Sequence, residues 1–151
     1  NSVIKVIQEC DAHFICLQEI TPSTKDHFLS NAYIQGILNA GGSVSPTNVW
    51  PYGTMIISKF PCEFYQYALN SKMHRSLILA EAFLPSRLIV ATCHFESMEN
   101  NKSVRCEQLE TSIGLLKAAQ GEPYAGHSAL VGDFNFKQLG ADELSQVANG
   151  G

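Results

Sequence analysis

The 151-residue sequence predicts an α+β protein in which helices pack over β-sheet in layers. Three observations indicate this class. Apolar residues recur at helical spacing at the start of the chain and again in a long polar segment after residue 101. Short continuous apolar runs, typical of strands buried on both faces, lie at residues 14–17 and 128–131. Four more strand-like runs follow one another between them, separated by turn signals.

The first third of the chain predicts two helices, one buried strand and a loop. Residues 2–10 form an amphipathic pattern, and the run FICL at residues 14–17 follows it as a strand. Residues 23–30 predict a short helix with Ser23 or Thr24 as its cap. Glycine, serine, proline and asparagine enrich residues 39–51, which indicates a surface loop.

The remainder of the chain predicts an antiparallel meander followed by a helix and a last strand. The four strand-like runs of the meander span residues 54–58, 62–67, 77–83 and 88–93. A polar helix with an apolar stripe covers about residues 101–119, and Gly121 fits its end. Residues 128–131 are the last predicted strand.

Composition limits the possible partners and the compartment. The formal net charge is -4 and the sequence pI is about 5.7, so any contact with nucleic acid must come from a local groove. The 45% content of hydrophobic residues is too high for a disordered chain. The five cysteines are odd in number and form no C-x-x-C pair, which predicts a reducing compartment without a disulfide framework or structural zinc. No apolar run is long enough to span a bilayer.

Polar side chains follow three of the predicted strands, where sites of layered α/β proteins usually lie. Glu19 comes after residues 14–17 and offers the hard oxygen ligand that suits Mg²⁺. His94 ends the last run of the meander and could hold a phosphate oxygen or act as an acid or base. Asp133 and Asn135 follow the last strand within the segment GDFN. Taken singly, these residues have ordinary explanations as a solvated glutamate, a structural histidine and turn formers.

Taken together and in this order, the motifs resemble those of the endonuclease/exonuclease/phosphatase superfamily. Residues 16–19 (CLQE) and 130–135 (LVGDFN) have the form of its QE and GDFN motifs. Further segments resemble its tyrosyl-DNA phosphodiesterase 2 group, namely residues 17–22 (LQEITP), 52–57 (YGTMII), 72–77 (KMHRSL), 94–97 (HFES) and 105–109 (RCEQL). The resemblance covers about residues 3–136.

The resemblance implies a divalent-metal-dependent phosphodiesterase. Glu19 would be the ligand of Mg²⁺, with Mn²⁺ as the other candidate metal. Asp133 would activate or position the attacking water. Asn135 and His94 would bind and polarise the phosphate. In such chemistry a metal on a non-bridging oxygen offsets the charge of the phosphodiester, while fixed donors stabilise the transition state.

The resemblance also implies a substrate and a place of action. Arg75, Tyr52 and Ser97 would line the substrate channel. The substrate would be DNA, single-stranded or at a duplex end, that carries a 5′-phosphotyrosyl link to a trapped topoisomerase. The enzyme would act in DNA repair in the nucleus, with the cytoplasm as a second location, and without a membrane partner.

Residues 1–151 are expected to form a partial catalytic domain, a DNase I-like layered α/β sandwich truncated at both ends. The family has an asparagine on a strand before the first helix and an SDH-type motif near its C-terminus, and this sequence matches neither. We therefore expect residues 1–151 alone to fold poorly and to be inactive, whereas the parent protein is an enzyme.

Two other interpretations stay open. The parent could belong to another branch of the superfamily, such as abasic-site endonucleases, deadenylases, or phosphodiesterases and phosphatases of lipids. These branches share the chemistry of Glu19 and Asp133 and differ in their loops. Alternatively, the chain could be a truncated copy that binds without catalysis. An assay on phosphotyrosyl DNA, an abasic duplex and a lipid phosphodiester separates these possibilities.

Overall fold

The computed structural model describes residues 2–121 and 126–136. Within these residues, the chain forms four α-helices and seven strands. In order they are α1 (Ser2–Cys10), β1 (Phe14–Ile20), α2 (Pro22–Leu29), α3 (Ala32–Asn39), β2 (Ser43–Val44), β3 (Gly53–Ser58), β4 (Cys62–Ala68), β5 (Ser76–Phe83), β6 (Arg87–His94), α4 (Lys102–Gln120) and β7 (Gly126–Asp133).

The strands form two sheets, which confirms the predicted α+β class. One sheet has the order β1-β3-β2 and is antiparallel. The other has the order β4-β5-β6-β7 and is antiparallel except for the β6–β7 pair. The parallel pair requires a crossover connection, and α4 lies within it. The carboxyl ends of β6 and β7 therefore meet at the same edge, where His94 lies opposite Asp133.

The apolar side chains form three clusters that define four layers. The helices α1 to α3 pack with one face of the first sheet, through residues such as Ile4, Phe28 and Ile34. Ile56 of β3 and Ile78 of β5 are fully buried in a cluster that joins the two sheets. The helix α4 covers the second sheet with Leu116. Because successive strand residues face opposite ways, a strand with a cluster on each face reads as a continuous apolar run.

The structure corrects the predicted meander. The run at residues 54–58 is β3, which pairs with β1 in the first sheet, so only β4, β5 and β6 form the meander. The residues 59–61 between β3 and β4 signal a turn, but a turn does not determine whether the next strand pairs with the previous one or starts another sheet. Pairing depends on contacts that are distant in sequence.

Several element bounds also differ from the sequence prediction. The strand predicted at residues 14–17 extends to Ile20, and α3 lies in a region for which no helix was predicted. Residues 2–10 and 101–119 are helical nearly as predicted. Gly121 is the residue after α4, with a φ of 71°, which confirms the predicted helix end.

All five cysteines are free thiols. Cys16 and Cys93 lie in the packed region of the sheets, and burial raises the pKa of Cys16 to about 11 and that of Cys93 to about 12. Both side chains are therefore neutral thiols that act as small apolar groups. Over residues 2–121 and 126–136, no helix has the length and apolar character needed to cross a membrane.

Candidate active site

Glu19 lies in a bulge of β1 rather than after the end of that strand. Two residues of β1, Gln18 and Glu19, stand opposite one residue of β3, between the pairs Leu17–Met55 and Ile20–Gly53. The bulge gives Glu19 a φ of 55°, in the left-handed region that is rare for a residue with a long side chain. The carboxylate is exposed. A strained backbone that presents an exposed carboxylate is characteristic of functional sites.

Gln18 connects this bulge to the second sheet. Its side-chain amide donates a hydrogen bond to Oγ1 of Thr92, at 3.0 Å. Thr92 is fully buried and precedes His94 by two residues on β6. The hydrogen bond therefore joins the strand that carries Glu19 to the strand that carries His94.

His94 and Arg75 form a buried pair. The guanidinium Nη1 of Arg75 lies 2.8 Å from Nδ1 of His94, and the two residues are 7% and 3% exposed. A guanidinium can only donate, so Nδ1 of His94 is an acceptor and the imidazole carries its proton on Nε2. That Nε2 faces Oδ2 of Asp133 at 3.8 Å. The three side chains therefore form a row across the ends of β5, β6 and β7.

Burial lowers the pKa of His94, and the charge of Arg75 lowers this pKa further. The carboxylates of Asp133 and Glu19 act in the opposite direction. The lowered pKa agrees with the neutral tautomer that the contact with Arg75 requires. The Glu19 carboxylate, from the first sheet, therefore acts on the same imidazole as the Asp133 carboxylate, from the second.

The GDFN segment brings Asp133 and Asn135 together. The backbone N–H of Asn135 donates to Oδ1 of Asp133 at 2.9 Å, and the side-chain amide of Asn135 donates to the carbonyl of Phe95 at 3.0 Å. Gly132 has a φ of 150°, and a Cβ there would overlap the carbonyl oxygen of Cys93. The glycine thus permits the close approach of β6 and β7 that sets Asp133 beside His94. The hydrogen bond from the amide nitrogen of Asn135 to the carbonyl of Phe95 stabilises this turn.

Tyr52 contacts Arg75 directly, and Ser97 is linked to Arg75 through Met73. The Tyr52 ring lies under the guanidinium, with Cζ of Arg75 5.3 Å from the ring centroid. Ser97 reaches Arg75 only through Met73, whose sulfur accepts from Ser97 Oγ at 3.3 Å and from Arg75 Nη2 at 3.5 Å. Tyr52 is 38% exposed. The structure therefore brings Tyr52 into direct contact with Arg75 and keeps Ser97 one residue further away.

Arg75 lines two cavities. One is lined by Tyr52, Thr54, His74 and His94 together with Arg75. The other is a groove of about 440 Å³ along β4 and the start of β5. Within the described residues the buried Nε of Arg75 has no hydrogen-bond partner. A buried cationic donor with spare capacity at a cavity wall is suited to an anion.

Sequence reasoning missed one residue that organises this site, Glu96. Its carboxylate is 1% exposed and accepts from the hydroxyl of Ser71 and from the backbone N–H of Lys72 at 3.2 Å. These two residues belong to the loop that ends at Arg75, and Glu96 follows His94 by two residues. Glu96 therefore holds together the segments that carry the Arg75–His94 pair. It lies within the HFES segment, but the sequence does not reveal that this carboxylate faces inwards.

The helix α4 completes the support around Glu96. Oε1 of Gln108 accepts from the backbone N–H of Glu96 at 2.8 Å, and its amide nitrogen donates to the carbonyl of Asn70 at 2.7 Å. Arg105 donates to the carbonyl of Met98 at 2.6 Å. Residues 105–109 (RCEQL) thus support the residues of the site through hydrogen bonds and do not line either cavity.

The residues present fit one divalent metal with few protein ligands. Within the described residues no group of three or more His, Cys, Asp or Glu side chains could hold a metal by itself. Mg²⁺ needs no such cage, because it keeps several waters and takes one or two carboxylates together with substrate oxygens. Glu19 is an exposed carboxylate whose charge acts on His94, the hydrogen-bond partner of the buried cation Arg75. A carboxylate for the ion and cationic donors for a phosphate thus act at one site.

The arrangement of the row can perform acid–base chemistry on an anion. Arg75 and the Nε2–H of His94 are donors, and Asp133 is a half-exposed acceptor. An oxyanion held by the donors would lie beside a carboxylate that can take a proton from water. The site thus combines a place for a phosphate with a base next to it.

Comparison with known proteins agrees with the fold and the motifs. A model of the endonuclease/exonuclease/phosphatase family matches residues 1–142. A sequence comparison with curated proteins finds no match.

Solved structures of similar fold come from several organisms. TDP2 from C. elegans has a TM-score of 0.72 and 19% identity, over 90% of this chain and 42% of that chain. TDP2 from D. rerio, complexed with single strand DNA product, has a TM-score of 0.72 and 19% identity, over 97% and 56%. The human Nocturnin catalytic domain with bound sulfate anion has a TM-score of 0.70 and 14% identity, over 98% and 60%.

The chain spans about half the length of these solved proteins. At such identities the likeness shows the fold alone. The family model, in contrast, matches nearly the whole sequence. The chain belongs to the endonuclease/exonuclease/phosphatase family.

Proposed function

We propose that this chain carries one part of the active site of a divalent-metal-dependent phosphodiesterase. The observation that carries the proposal is the row Arg75–His94–Asp133 together with Glu19, whose charge acts on His94. Phosphodiester hydrolysis needs donors for the phosphate oxygens and carboxylates for the metal and the water. Members of the family are hydrolases that generally depend on divalent metals.

Each group of the row has one role in this proposal. Glu19 would hold Mg²⁺ or Mn²⁺, which would supply positive charge to offset that of the phosphate. Arg75 and the Nε2–H of His94 hold phosphate oxygens, because both present donors at the same edge of the second sheet. Asp133 orients the attacking water and accepts its proton. Asn135 maintains the turn that aims Asp133 and adds an amide near the phosphate.

We further infer that the substrate is DNA with a 5′-phosphotyrosyl end. The segments LQEITP, KMHRSL and HFES, which resemble the tyrosyl-DNA phosphodiesterase 2 group, support this inference. Two of the similar structures are TDP2 proteins, and one of them holds a single strand DNA product. Tyr52 contacts Arg75 and Ser97 is linked to it through Met73, as expected of residues that line a substrate channel. The expected place of action is the nucleus, where topoisomerase-linked DNA ends arise.

The test is a steady-state assay of the full-length protein with Mg²⁺ on three substrates. These are a 5′-phosphotyrosyl oligonucleotide, an abasic duplex and a lipid phosphodiester. We expect hydrolysis of the first to be fastest, and Asp133→Asn to remove it. A preference for the abasic duplex or the lipid would leave the phosphodiesterase assignment standing and refute the substrate. Absence of turnover on all three, with a correctly folded protein, would favour a non-catalytic copy.

A further inference from the structure

The loop before β3 presents a tryptophan to solvent next to the candidate phosphate site. Trp50 is 75% exposed, the largest exposed fraction among the large apolar side chains of the described residues. Single exposed apolar residues are common on protein surfaces and need no explanation by themselves. Trp50 differs because of the way in which the loop holds it and because of its neighbour Tyr52.

The loop is anchored by every second residue. Ser45, Thr47 and Val49 are 1%, 4% and 4% exposed, whereas the residues between them and Trp50 face solvent. The hydroxyl of Ser45 accepts from a backbone N–H of β3 at 3.0 Å, and that of Thr47 donates to a β3 carbonyl at 2.9 Å. Trp50 is therefore outward-facing as a consequence of the alternation, not because the loop is loose.

Three further contacts hold the loop around Trp50. Its backbone N–H donates to Oδ1 of Asn48 at 3.0 Å. Gly53 approaches the loop so closely that a Cβ there would lie 3.2 Å from the Asn48 carbonyl oxygen. Lys25 donates from below to the carbonyl of Thr47 at 2.9 Å and adds a positive charge. A loop backbone held in this way loses little conformational entropy when its exposed side chain binds a partner.

Trp50 is close to the candidate anion site. It precedes Tyr52 by two residues, so their Cα atoms are at most about 7 Å apart. The Tyr52 ring contacts Arg75, whose buried Nε lacks a partner among the described residues. An exposed aromatic residue thus lies two residues along the chain from a tyrosine that contacts the cationic group of the anion site. Single-stranded nucleic acids are bound by this combination, with phosphates on cationic groups and bases on aromatic faces.

We propose that Trp50 is a stacking platform for a base of a single-stranded nucleic acid whose phosphate lies at Arg75. The proposal rests on the phosphate site of the proposed function and adds a base-binding subsite to it. Stacking on an aromatic ring is tolerant of base identity, because every base has a π-face. The subsite therefore contributes affinity for nucleic acid without specifying a sequence.

The chain offers a direct probe, because Trp50 is the only tryptophan of residues 1–151. The emission of the full-length protein is compared with that of its Trp50→Phe variant, and the difference reports Trp50. The first measurement is the emission of Trp50 during titration with a 5′-phosphorylated oligothymidine strand, without divalent metal so that no turnover occurs. Parallel titrations use an abasic strand of the same length and inorganic phosphate. We expect quenching by the oligothymidine and little change with the other two. The oligothymidine should bind at least about fivefold more tightly than the abasic strand, the minimum expected for one stacked base.

Variants separate the base subsite from the phosphate site. Fluorescence anisotropy of labelled strands measures affinity independently of the tryptophan signal. Trp50→Ala should remove the preference for the strand with bases, and Trp50→Phe should restore part of it. Phe83→Ala is the matched control, because Phe83 is 63% exposed and ends β5, the strand that begins beside Arg75. This control should keep the full preference.

Three outcomes would overturn the proposal in different ways. Equal affinity for the two strands, without quenching, would refute the base subsite. If Arg75→Gln still weakened the binding of both strands, the phosphate site would stand. No binding of either strand, with no effect of Arg75→Gln on phosphate binding, would refute the phosphate site and the subsite together. A preference for bases that persists in Trp50→Ala would place the stacking elsewhere.

Discussion

Arg75 and His94 each determine the chemical state of the other. Because the guanidinium can only donate, it requires a lone pair on Nδ1 of His94, and the imidazole proton then lies on the side of Asp133. The same guanidinium disfavours a charged imidazole. A neutral histidine with a directed N–H is a donor for an oxyanion rather than a base at neutral pH. The base in the proposed mechanism is therefore Asp133.

Substitution of the two charged neighbours should move the pKa of His94 in opposite directions. Arg75→Gln removes a charge that lowers this pKa, so the pKa should rise. Asp133→Asn removes a charge that raises it, so the pKa should fall further. The measurement is an NMR titration of the imidazole Hε1 signal, assigned among the five histidines by its loss in His94→Gln. A shift of the same sign in both variants would contradict the observed row of side chains.

The lowered pKa of His94 also predicts the pH dependence of stability. The unfolded chain, with a histidine pKa near 6.5, binds the proton more readily than the folded one. The contribution of His94 is therefore fully present above about pH 6.5 and is lost as the pH falls through the lower folded pKa. The free energy of unfolding of His94→Gln should vary less over this window than that of the unsubstituted protein. An equal slope in the two proteins would contradict the prediction.

Glu19→Gln should nearly abolish Mg²⁺-dependent hydrolysis by the full-length protein while substrate binding changes little. The amide keeps the shape of the side chain but removes the charge that attracts the metal. We expect kcat to fall by at least about 100-fold, the scale of losing one group that stabilises the transition state. Glu63→Gln is the control, an exposed carboxylate on β4. Unchanged kcat at saturating Mg²⁺ would remove Glu19 from the site.

At the scale of elements, the site depends on a bulge and a braced loop. The bulge of β1 turns Glu19 out of the regular alternation of the strand. The loop after β4 is held by the buried carboxylate of Glu96, which accepts from Ser71 and Lys72. The bulge carries Glu19, and the loop ends at Arg75. Both features determine where these groups of the proposed site lie.

Glu96→Gln should therefore lower the free energy of unfolding and make the position of Arg75 less well defined. The amide nitrogen cannot accept the hydrogen bond that one carboxylate oxygen accepts, which leaves a buried donor unpaired. We expect the free energy of unfolding to fall by about 1–3 kcal/mol, measured by urea denaturation. The control is Glu107→Gln, which alters an exposed carboxylate of α4 that accepts a hydrogen bond from Asn70 of the same loop at 2.9 Å. That change should stay within about 0.5 kcal/mol. Equal losses in the two variants would contradict the role assigned to Glu96.

The sequence predicted most elements because their local patterns agree with their final environment. A strand does lie at residues 128–131, within β7, and α4 ends at a glycine in the left-handed region. The burial predicted for that strand was wrong, because its residues are half-buried or exposed, with Val131 39% exposed. The sequence did not predict that β3 pairs with β1, because pairing of strands is a long-range property. It also did not predict that β1 continues past residue 17, since Gln18 and Glu19 are polar and only the bulge makes them part of a strand.

The candidate site residues were found from motifs, and their mutual arrangement was not. Glu19, His94 and Asp133 follow apolar runs, a signal that the sequence contains. The contact between Arg75 and His94 and the burial of Glu96 depend on how the loop after β4 folds back. No local pattern encodes such a return. The chemical roles of these residues stay predictions until they are tested.

At the scale of the whole molecule, the site is formed by two sheets that meet. Glu19 belongs to the first sheet, and the row from Arg75 to Asp133 belongs to the second. The interface between the sheets is mostly apolar, with Ile56 and Ile78 at its centre. Apolar packing holds two layers together but defines their relative position only loosely. A polar contact across the interface, from Gln18 to Thr92, supplies a directional restraint near the site.

Thr92→Val should lower the free energy of unfolding and change the relative positions of Glu19 and His94. Valine has nearly the same shape as threonine, so the change removes the acceptor of the Gln18 amide without a cavity. We expect the free energy of unfolding to fall by about 1–3 kcal/mol, because a partly buried donor is left unpaired. Thr54→Val is the matched control. Thr54 is also buried, but its hydroxyl has no hydrogen-bond partner among the residues described, so this change should be neutral or stabilising.

A second readout tests whether the contact orders the site and not only the core. In the unsubstituted protein Glu19→Gln should lower the pKa of His94, since the Glu19 carboxylate raises it. If the Gln18–Thr92 hydrogen bond holds the two sheets in register, that effect should shrink in the Thr92→Val background. NMR titration of His94 in the four proteins of this cycle measures the difference. An undiminished effect of Glu19→Gln would mean that apolar packing alone positions the two halves of the site.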